Sequence, residues 1–159
     1  MSFRVGIGFD AHRRVMGRPL VLGGVRIESD WGLEAHSDGD VIAHAVLDAL
    51  LGACALGDKG MHFPPTDPRY KDIRSTELLS RAAALLGEHG YRIGNVDATV
   101  ICEEPKLTPH VLAMREALSK ALGVDASQVS VKPTTSEKLG FAGRGEGIAA
   151  MATVLVERI

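Results

Sequence analysis

Two cysteines in 159 residues, Cys54 and Cys102, are too few for a disulfide framework, and no CxxC pair is present to begin a zinc finger. The sequence therefore suits a reducing compartment, and a cytoplasmic location is expected. Aromatic residues make up only 4% of the chain, too sparse for a base-stacking platform. Charge is nearly balanced, 18 basic against 20 acidic residues, so the positive field that a polyanion requires is missing and no nucleic-acid partner is expected. No apolar run approaches the roughly 20 residues that cross a bilayer, and no membrane partner is expected. MSFRVGIGFDAH turns polar too early for the apolar region of a signal peptide. There is no GxxxxGK[ST] motif, and Gly6-x-Gly8 lacks the third glycine of the dinucleotide fingerprint, which disfavours an ATPase and a Rossmann dehydrogenase.

What is present suffices for one domain spanning residues 1–159. A hydrophobic content of 45% builds a core at this length without covalent staples. Phe3, Val5, Ile7 and Phe9 alternate with Arg4, Gly6 and Gly8, which predicts a strand with one apolar face ending at Asp10. Leu20 to Leu22 and Val25 to Ile27 flank Gly23-Gly24 as a hairpin. Ser37 or Asp38 can cap a helix running to about Leu56, and further helices fit from Ser75 to Glu88 and from Pro109 to Leu122, closed by Gly90 and Gly123. Strands fit at Asn95 to Cys102, Val129 to Lys132 and Ile148 to Val156, completing an α+β unit with a mixed sheet packed by helices. Gly57 to Arg74, rich in Gly, Pro and Asp, reads as a long functional loop.

Asp10 and His12 stand two apart on one strand, so their side chains can share a cation. His44 and Asp48 stand four apart on one face of a helix that is otherwise apolar. There a hydrogen-bonded His-Asp pair and a metal ligand are both open readings. One Asp with two His suits Zn²⁺ with three protein ligands and an open fourth position, the catalytic arrangement. Thr134, Thr135 and Ser136 follow a strand, where hydroxyls and a possible helix start would favour an anion, and Glu137 beside them could hold Mg²⁺ or Mn²⁺ shared with phosphates. Residues alone therefore point to metal-dependent phosphate handling. A zinc phosphoesterase and a metal-stabilised trimeric binding or scaffold protein, the latter prompted by the apolar helix and a mean hydropathy of +0.07, remain open at this stage.

The segments FDAHR, LEAHSDGDVIAHAVLDALLGA, LGDKGMHFPPTDPRYK and TTSEKLGFAGRGEG resemble the 2-C-methyl-D-erythritol 2,4-cyclodiphosphate synthase family, a likeness that covers nearly the whole chain. The resemblance implies a homotrimer with active sites between subunits. It also implies cyclisation of 4-diphosphocytidyl-2-C-methyl-D-erythritol 2-phosphate to the cyclic diphosphate with release of CMP, in the non-mevalonate route to isoprenoids. It assigns Asp10, His12 and His44 to Zn²⁺ and Glu137 to Mg²⁺ or Mn²⁺. His36 and Ser37 match groups on the phosphate and erythritol side, and Asp58, Lys59 and Gly60 match the loop at the methylerythritol and ribose. Phe63, Pro64, Pro65, Thr66 and Asp67 match a stretch closing over the sugar. Cys102, Glu103, Glu104, Pro105, Lys106, Leu107 and Thr108 match the wall that holds cytosine, largely by backbone groups. Thr134, Thr135 and Ser136 match the diphosphate contacts, Phe141 and Arg144 match positions near the substrate and a central channel, and His36 and Thr135 match the groups that aid the transition state. Two positions depart from the family pattern: Pro133, which has no N-H to offer a nucleotide, and Pro65, where an Asp is common.

Overall fold

The computed structural model describes residues 2–159. Its first strand, β1 (Phe3–Met16), does not stop at Asp10 as the alternation suggested. It stays paired, antiparallel, with the last strand, β7 (Gly147–Arg158), from Phe3↔Glu157 to Arg13↔Gly147, and its end then pairs with β4 (Trp31–Leu33), a short strand not expected from the sequence. Asp10 and His12 therefore lie within a paired strand, where main-chain hydrogen bonds fix their direction.

The full sheet has the order β4-β1-β7-β5-β6. Strand β5 (Tyr91–Ile101) is antiparallel to β7, with a bulge at Ile93/Asn95, and β6 (Val129–Thr134) is parallel to β5. The sheet is thus mixed, as expected, although β6 and β7 extend beyond the limits read from hydropathy and β5 starts four residues earlier than expected and stops at Ile101, before Cys102. The expected hairpin is present as a separate two-stranded sheet, β2 (Leu20–Leu22) with β3 (Val25–Ile27). Gly23 and Gly24 both have positive φ, 57° and 76°, the conformation that a two-residue hairpin turn of this hand demands.

Helix α1 (Val41–Ala53) lies across β1 and β7 and is buried at every residue except Asp48 and Gly52. Val41, Ile42, Val46, Leu47, Leu50 and Leu51 are wholly excluded from solvent. Each such side chain contributes about 1.5–3 kcal/mol on leaving water. The helix is capped by Asp40, not by Ser37 or Asp38. The Asp40 carboxylate accepts from Ile42 and Ala43 N-H at 3.1 and 3.0 Å and also from the hairpin glycines, Gly23 at 2.9 Å and Gly24 at 2.7 Å. One buried side chain thereby ties the hairpin to the helix start, which explains why a cap judged only from its neighbours, Ser37 or Asp38, fell three or two residues early.

Helix α1 ends at Ala53, before Ala55 and Gly57 take positive φ, rather than at Leu56. The segment from Gly57 to Arg74 is not wholly irregular: it contains α2 (Lys59–His62) and a 3-10 turn over Pro68–Tyr70. Helix α3 (Ser75–Glu88) has the expected limits, and α4 (Val111–Leu122) closes at Gly123 in the left-handed conformation, as expected. The Pro109 start does not hold, because Thr108–His110 forms a 3-10 turn ahead of α4. A further short helix, α5 (Gly140–Gly143), precedes β7. Helix α3 packs on α1 and β5, and α4 on α3 and β6, so the helices cover one face of the sheet.

The two faces of β1 differ in a way that alternation alone did not reveal. Phe3, Val5, Ile7 and Phe9 point away from the helices and are 56–67% exposed. The row facing α1 is Gly6, Gly8, Asp10 and His12. A Cβ at Gly6 would lie 1.9 Å from the Ala49 carbonyl oxygen, and one at Gly8 1.9 Å from that of Ala45. Only glycine permits this approach of helix to strand.

Candidate functional site

The glycine row brings the next turn of α1 onto the next residues of β1. His44 Nδ1 lies 2.8 Å from Asp10 Oδ2, and His12 Nε2 lies 2.9 Å from the same oxygen and 3.1 Å from His44 Nδ1. Burial opposes ionisation of Asp10, but hydrogen bonds and charge from His12 and His44 outweigh it and hold its carboxyl well below the usual carboxylate range. One carboxylate oxygen and two imidazole nitrogens, all within 4.8 Å of one another, form a donor group able to hold a metal ion. Legs of about 2.0–2.1 Å in a tetrahedral Zn²⁺ site put ligand atoms roughly 3.3 Å apart, close to the spacing observed. The donor set fits.

The Asp48 carboxylate is not bonded to His44. It accepts from Lys59 twice, from the backbone N-H at 2.7 Å and from Nζ at 2.9 Å. Lys59 Nζ also lies 3.4 Å from Asp10 Oδ1. Burial works against the Lys59 charge, but the Asp48 hydrogen bond and the Asp10 and Asp48 charges hold its ammonium above the ordinary lysine range. A permanent cation thus stands beside the donor group, on a loop that the sequence marked as functional.

These groups open on a cavity of about 430 Å³ lined by His12, His36, Ser37, His44, Asp48, Asp58, Lys59, Gly60, Phe63 and Pro65, with Tyr70, Ile73 and Leu78 adding apolar wall. Phe63 meets Tyr70 edge to face, ring centroids 5.5 Å apart. His36 Nε2 donates to the Asp67 carbonyl at 3.0 Å, and the Asp72 N-H donates to the His36 carbonyl at 2.8 Å, tying the 64–74 stretch to the AHSDGD segment. The Asp67 carboxylate itself pairs with Arg69 and caps the 3-10 turn. Pro64 and Thr66 belong to the same stretch but do not line the cavity.

The remaining expected residues gather elsewhere. Glu103, Glu104, Lys106 and Arg144 border a second cavity of about 320 Å³ together with Arg14, Trp31 and Lys138. Thr134, Thr135 and Ser136 do not start a helix. Thr134 ends β6, and Thr135 and Ser136 lead from it into a turn in which Glu137 and Lys138 take positive φ, 53° and 63°. Glu103 builds that turn, its Oε1 accepting from Ser136 N-H at 3.0 Å and Lys138 N-H at 3.2 Å. Thr135 Oγ1 accepts from the Glu137 N-H at 3.3 Å, and Glu137 and Phe141 are exposed. Burial and the neighbouring Glu103 push the Cys102 thiol up to about 11, so it stays protonated and donates to the Glu104 carbonyl at 3.1 Å. Pro105, Leu107 and Thr108 continue this wall, with Leu107 buried. In a single chain, the two groups of expected site residues do not meet in one cavity.

Two participants escaped sequence reasoning. Asp40 shares its segment with the expected His36 and Ser37, but its partners are glycines 16 and 17 residues away. Ser75 reads as an ordinary helix start, yet its Oγ lies 2.9 Å from His44 Nε2. Neither leaves a signal in local sequence, because each acts across a long separation.

Residues 3–157 match the YgbB family. The chain is 56% identical over 158 residues to a 2-C-methyl-D-erythritol 2,4-cyclodiphosphate synthase of Xanthomonas oryzae pv. oryzae, covering 99% of this chain and 97% of that protein. It is 55% identical to the synthase of Geobacillus kaustophilus, covering 98% and 99%. Among solved structures, the bifunctional IspDF from Campylobacter jejuni superposes with a TM-score of 0.96 at 43% identity, covering 99% of this chain, which spans 43% of that longer protein. The CDP complex of IspF from Plasmodium falciparum gives a TM-score of 0.86 at 36% identity, covering 99% and 97%.

Proposed function

The chain belongs to the YgbB family, and from that membership and the geometry of its donor group we propose that it is a phosphorus-oxygen lyase. It cyclises 4-diphosphocytidyl-2-C-methyl-D-erythritol 2-phosphate to 2-C-methyl-D-erythritol 2,4-cyclodiphosphate and releases CMP, in the non-mevalonate route to isoprenoids. What carries this reading is the convergence of Asp10, His12 and His44 beside a cavity lined by His12, His36, Ser37, His44 and Lys59, in a chain similar to such synthases from end to end. The whole chain acts as one synthase domain, in the cytoplasm.

The reaction is an intramolecular phosphoryl transfer, in which a 2-phosphate oxygen attacks the β-phosphorus while CMP leaves from the opposite side. A phosphate monoester with a second pKa near ~6 is largely dianionic at neutral pH, so no general base is needed. The task is to gather and align negative charge. Zn²⁺ at Asp10, His12 and His44, with Mg²⁺ or Mn²⁺ at Glu137, supplies charge neutralisation and alignment for the diphosphate when bound. Lys59, kept cationic by Asp48, adds fixed positive charge on the same side of the cavity. His36, its Nε2-H spent on the Asp67 carbonyl, is held in one orientation against the substrate's phosphate side. Phe63, Pro65 and Tyr70 exclude water from the methylerythritol. Cys102 to Thr108 hold the cytosine, in keeping with the CDP bound to the Plasmodium relative, and Thr134, Thr135 and Ser136 contact the diphosphate, with Thr135 assisting at the transition state.

The chain works as a homotrimer, with each active site made from the metal-bearing cavity of one subunit and the cytidine-bearing wall of its neighbour. Two features support this arrangement. The two groups of residues lie apart within one chain, and an apolar row of Phe3, Val5, Ile7 and Phe9 is left open on the sheet.

Incubation of the purified protein with the substrate and Mg²⁺, followed by ³¹P NMR before and after chelation, tests the reaction. Cyclic diphosphate plus CMP, lost on chelation and restored by metal, is expected. A linear phosphate product would instead identify a phosphoesterase.

A further inference from the structure

His44 turns Nδ1 to Asp10 and His12, and its other ring nitrogen faces the interior. Nε2 lies 2.9 Å from Ser75 Oγ and 3.0 Å from Ser37 Oγ. A serine hydroxyl has one proton to give. At Ser75 that proton is committed, because Oγ lies 2.5 Å from Asp38 Oδ1, while the Ser75 N-H donates to Asp38 Oδ2 at 3.0 Å. Ser75 is 1% exposed, so bulk water does not compete for its hydroxyl. What Oγ has left is the capacity to accept, and His44 Nε2 stands in reach as the donor. Ser37 differs, since no carboxylate fixes the direction of its hydroxyl proton; its Oγ accepts from the Gly39 N-H at 3.3 Å.

We propose that Asp38 and Ser75 form a positioning relay, carboxylate to hydroxyl to imidazole, that fixes His44 with its proton on Nε2 and aims the Nδ1 lone pair at the metal. The relay rests on the metal-site reading given above. It joins three parts of the chain: the segment before α1 that carries Asp38, the first residue of α3, and the imidazole of α1. Asp38 also holds the start of α3, whose own N-cap residue, Arg74, makes no side-chain cap bond. Metal ligands oriented by such outer hydrogen bonds commonly lose 10–100-fold in affinity when the outer partner is removed.

The test is Zn²⁺ titration of metal-stripped protein in competition with a chromophoric chelator, paired with melting of the zinc-free protein. Ser75→Ala keeps the N-H bonded to Asp38 and places a better helix former in α3, so its zinc-free melting temperature should stay close to that of the unmutated protein. Its Kd for Zn²⁺ should rise 10–100-fold, and Ser75→Thr, which returns the hydroxyl, should recover most of that loss. Asp38→Asn should weaken Zn²⁺ binding when made alone and add little to Ser75→Ala. An unchanged Kd in Ser75→Ala, or an independent full loss from Asp38→Asn in that background, overturns the relay and leaves the metal site standing. Failure of the unmutated protein to bind one Zn²⁺ per chain overturns both. A check independent of substitution is a long-range ¹H-¹⁵N spectrum of the zinc-loaded, unmutated protein. Zinc on Nδ1 with the proton on Nε2 of His44 is expected, and zinc on Nε2 overturns the relay.

Discussion

The two faces of β1 belong to one fourteen-residue strand and obey opposite rules. Toward α1, the chain uses glycine, glycine, aspartate and histidine: the two glycines face helix carbonyls closer than a side chain permits, and Asp10 is fixed by contacts with His12 and His44. Away from it, Phe3, Val5, Ile7 and Phe9 are bulky, apolar and free of helices. The polarity normally expected of a half-buried strand is inverted, with small residues inside and large ones outside. The inner face is shaped by backbone proximity and directs chemistry. The outer face has the composition of a surface that awaits a partner. Residue size therefore says little about which face of a strand is the core until the helix above it is known.

The sharpest way to break this contrast is to put a side chain on the inner face. Gly8→Val has no space against the Ala45 carbonyl, and we expect a loss on the order of 3 kcal/mol or more, seen as failure to fold or as a large fall in urea midpoint. A Gly8→Val protein of unchanged stability would show that α1 can retreat from β1 cheaply. A smaller change on stability, but a large one on metal, is expected from His44→Ala. Zinc content should fall sharply while the circular dichroism spectrum is kept, and full retention of zinc would remove His44 from the ligand set.

Asp40 tests how rigidly the inner layer is held. Burial and the nearby Asp38 charge push its carboxyl up to about 6, against the pull of the Ala43, Gly24 and Gly23 N-H groups. A folded-state pKa above the unfolded value of 3.8 means that this group's contribution is complete below about pH 4 and is lost as pH rises through 6. The stability of the unmutated protein relative to Asp40→Asn should therefore decline by up to roughly 3 kcal/mol between pH 4 and pH 7.5. Urea unfolding of both proteins across that range measures it, and a pH-independent difference would mean that the N-H groups keep Asp40 ionised throughout. The least effect on the subunit itself is expected on the outer face. Ile7→Lys should alter the stability of the isolated subunit by no more than about 0.5 kcal/mol yet yield a smaller species by sedimentation, with zinc per chain retained. An unmutated protein that sediments as a monomer would break the comparison at its outer side.

Much of the arrangement was legible in the residues. Helix α3 could be placed from Ser75 to Glu88 because its start and its Gly90 stop are local signals, and Asp10, His12 and His44 could be grouped as metal donors by spacing and by family resemblance. The course of β1 past Asp10 was not legible, because it depends on pairing with β7 and β4, strands distant in sequence. The cap of α1 was misplaced for a related reason: Asp40 is selected over Asp38 by the hairpin glycines as much as by the helix. Asp48 was read as a partner or ligand near His44, whereas its nearest cation comes from Lys59, eleven residues later. Local signals locate elements, while long-range contacts decide where they end and which atoms meet.

The alternation along β1 also imposes a rule of parity. Even-numbered positions from Gly6 to His12 belong to the helix and the metal donors, odd-numbered ones from Phe3 to Phe9 to the open surface, and the pairing with β7 is unbroken across them. Deleting or inserting one residue in this stretch exchanges the two sets, driving phenylalanine into the space reserved for a glycine and turning an imidazole out toward solvent. Descendants of this sequence can vary the chemistry at either set one substitution at a time, but the number of residues between Gly6 and His12 is far less free to change.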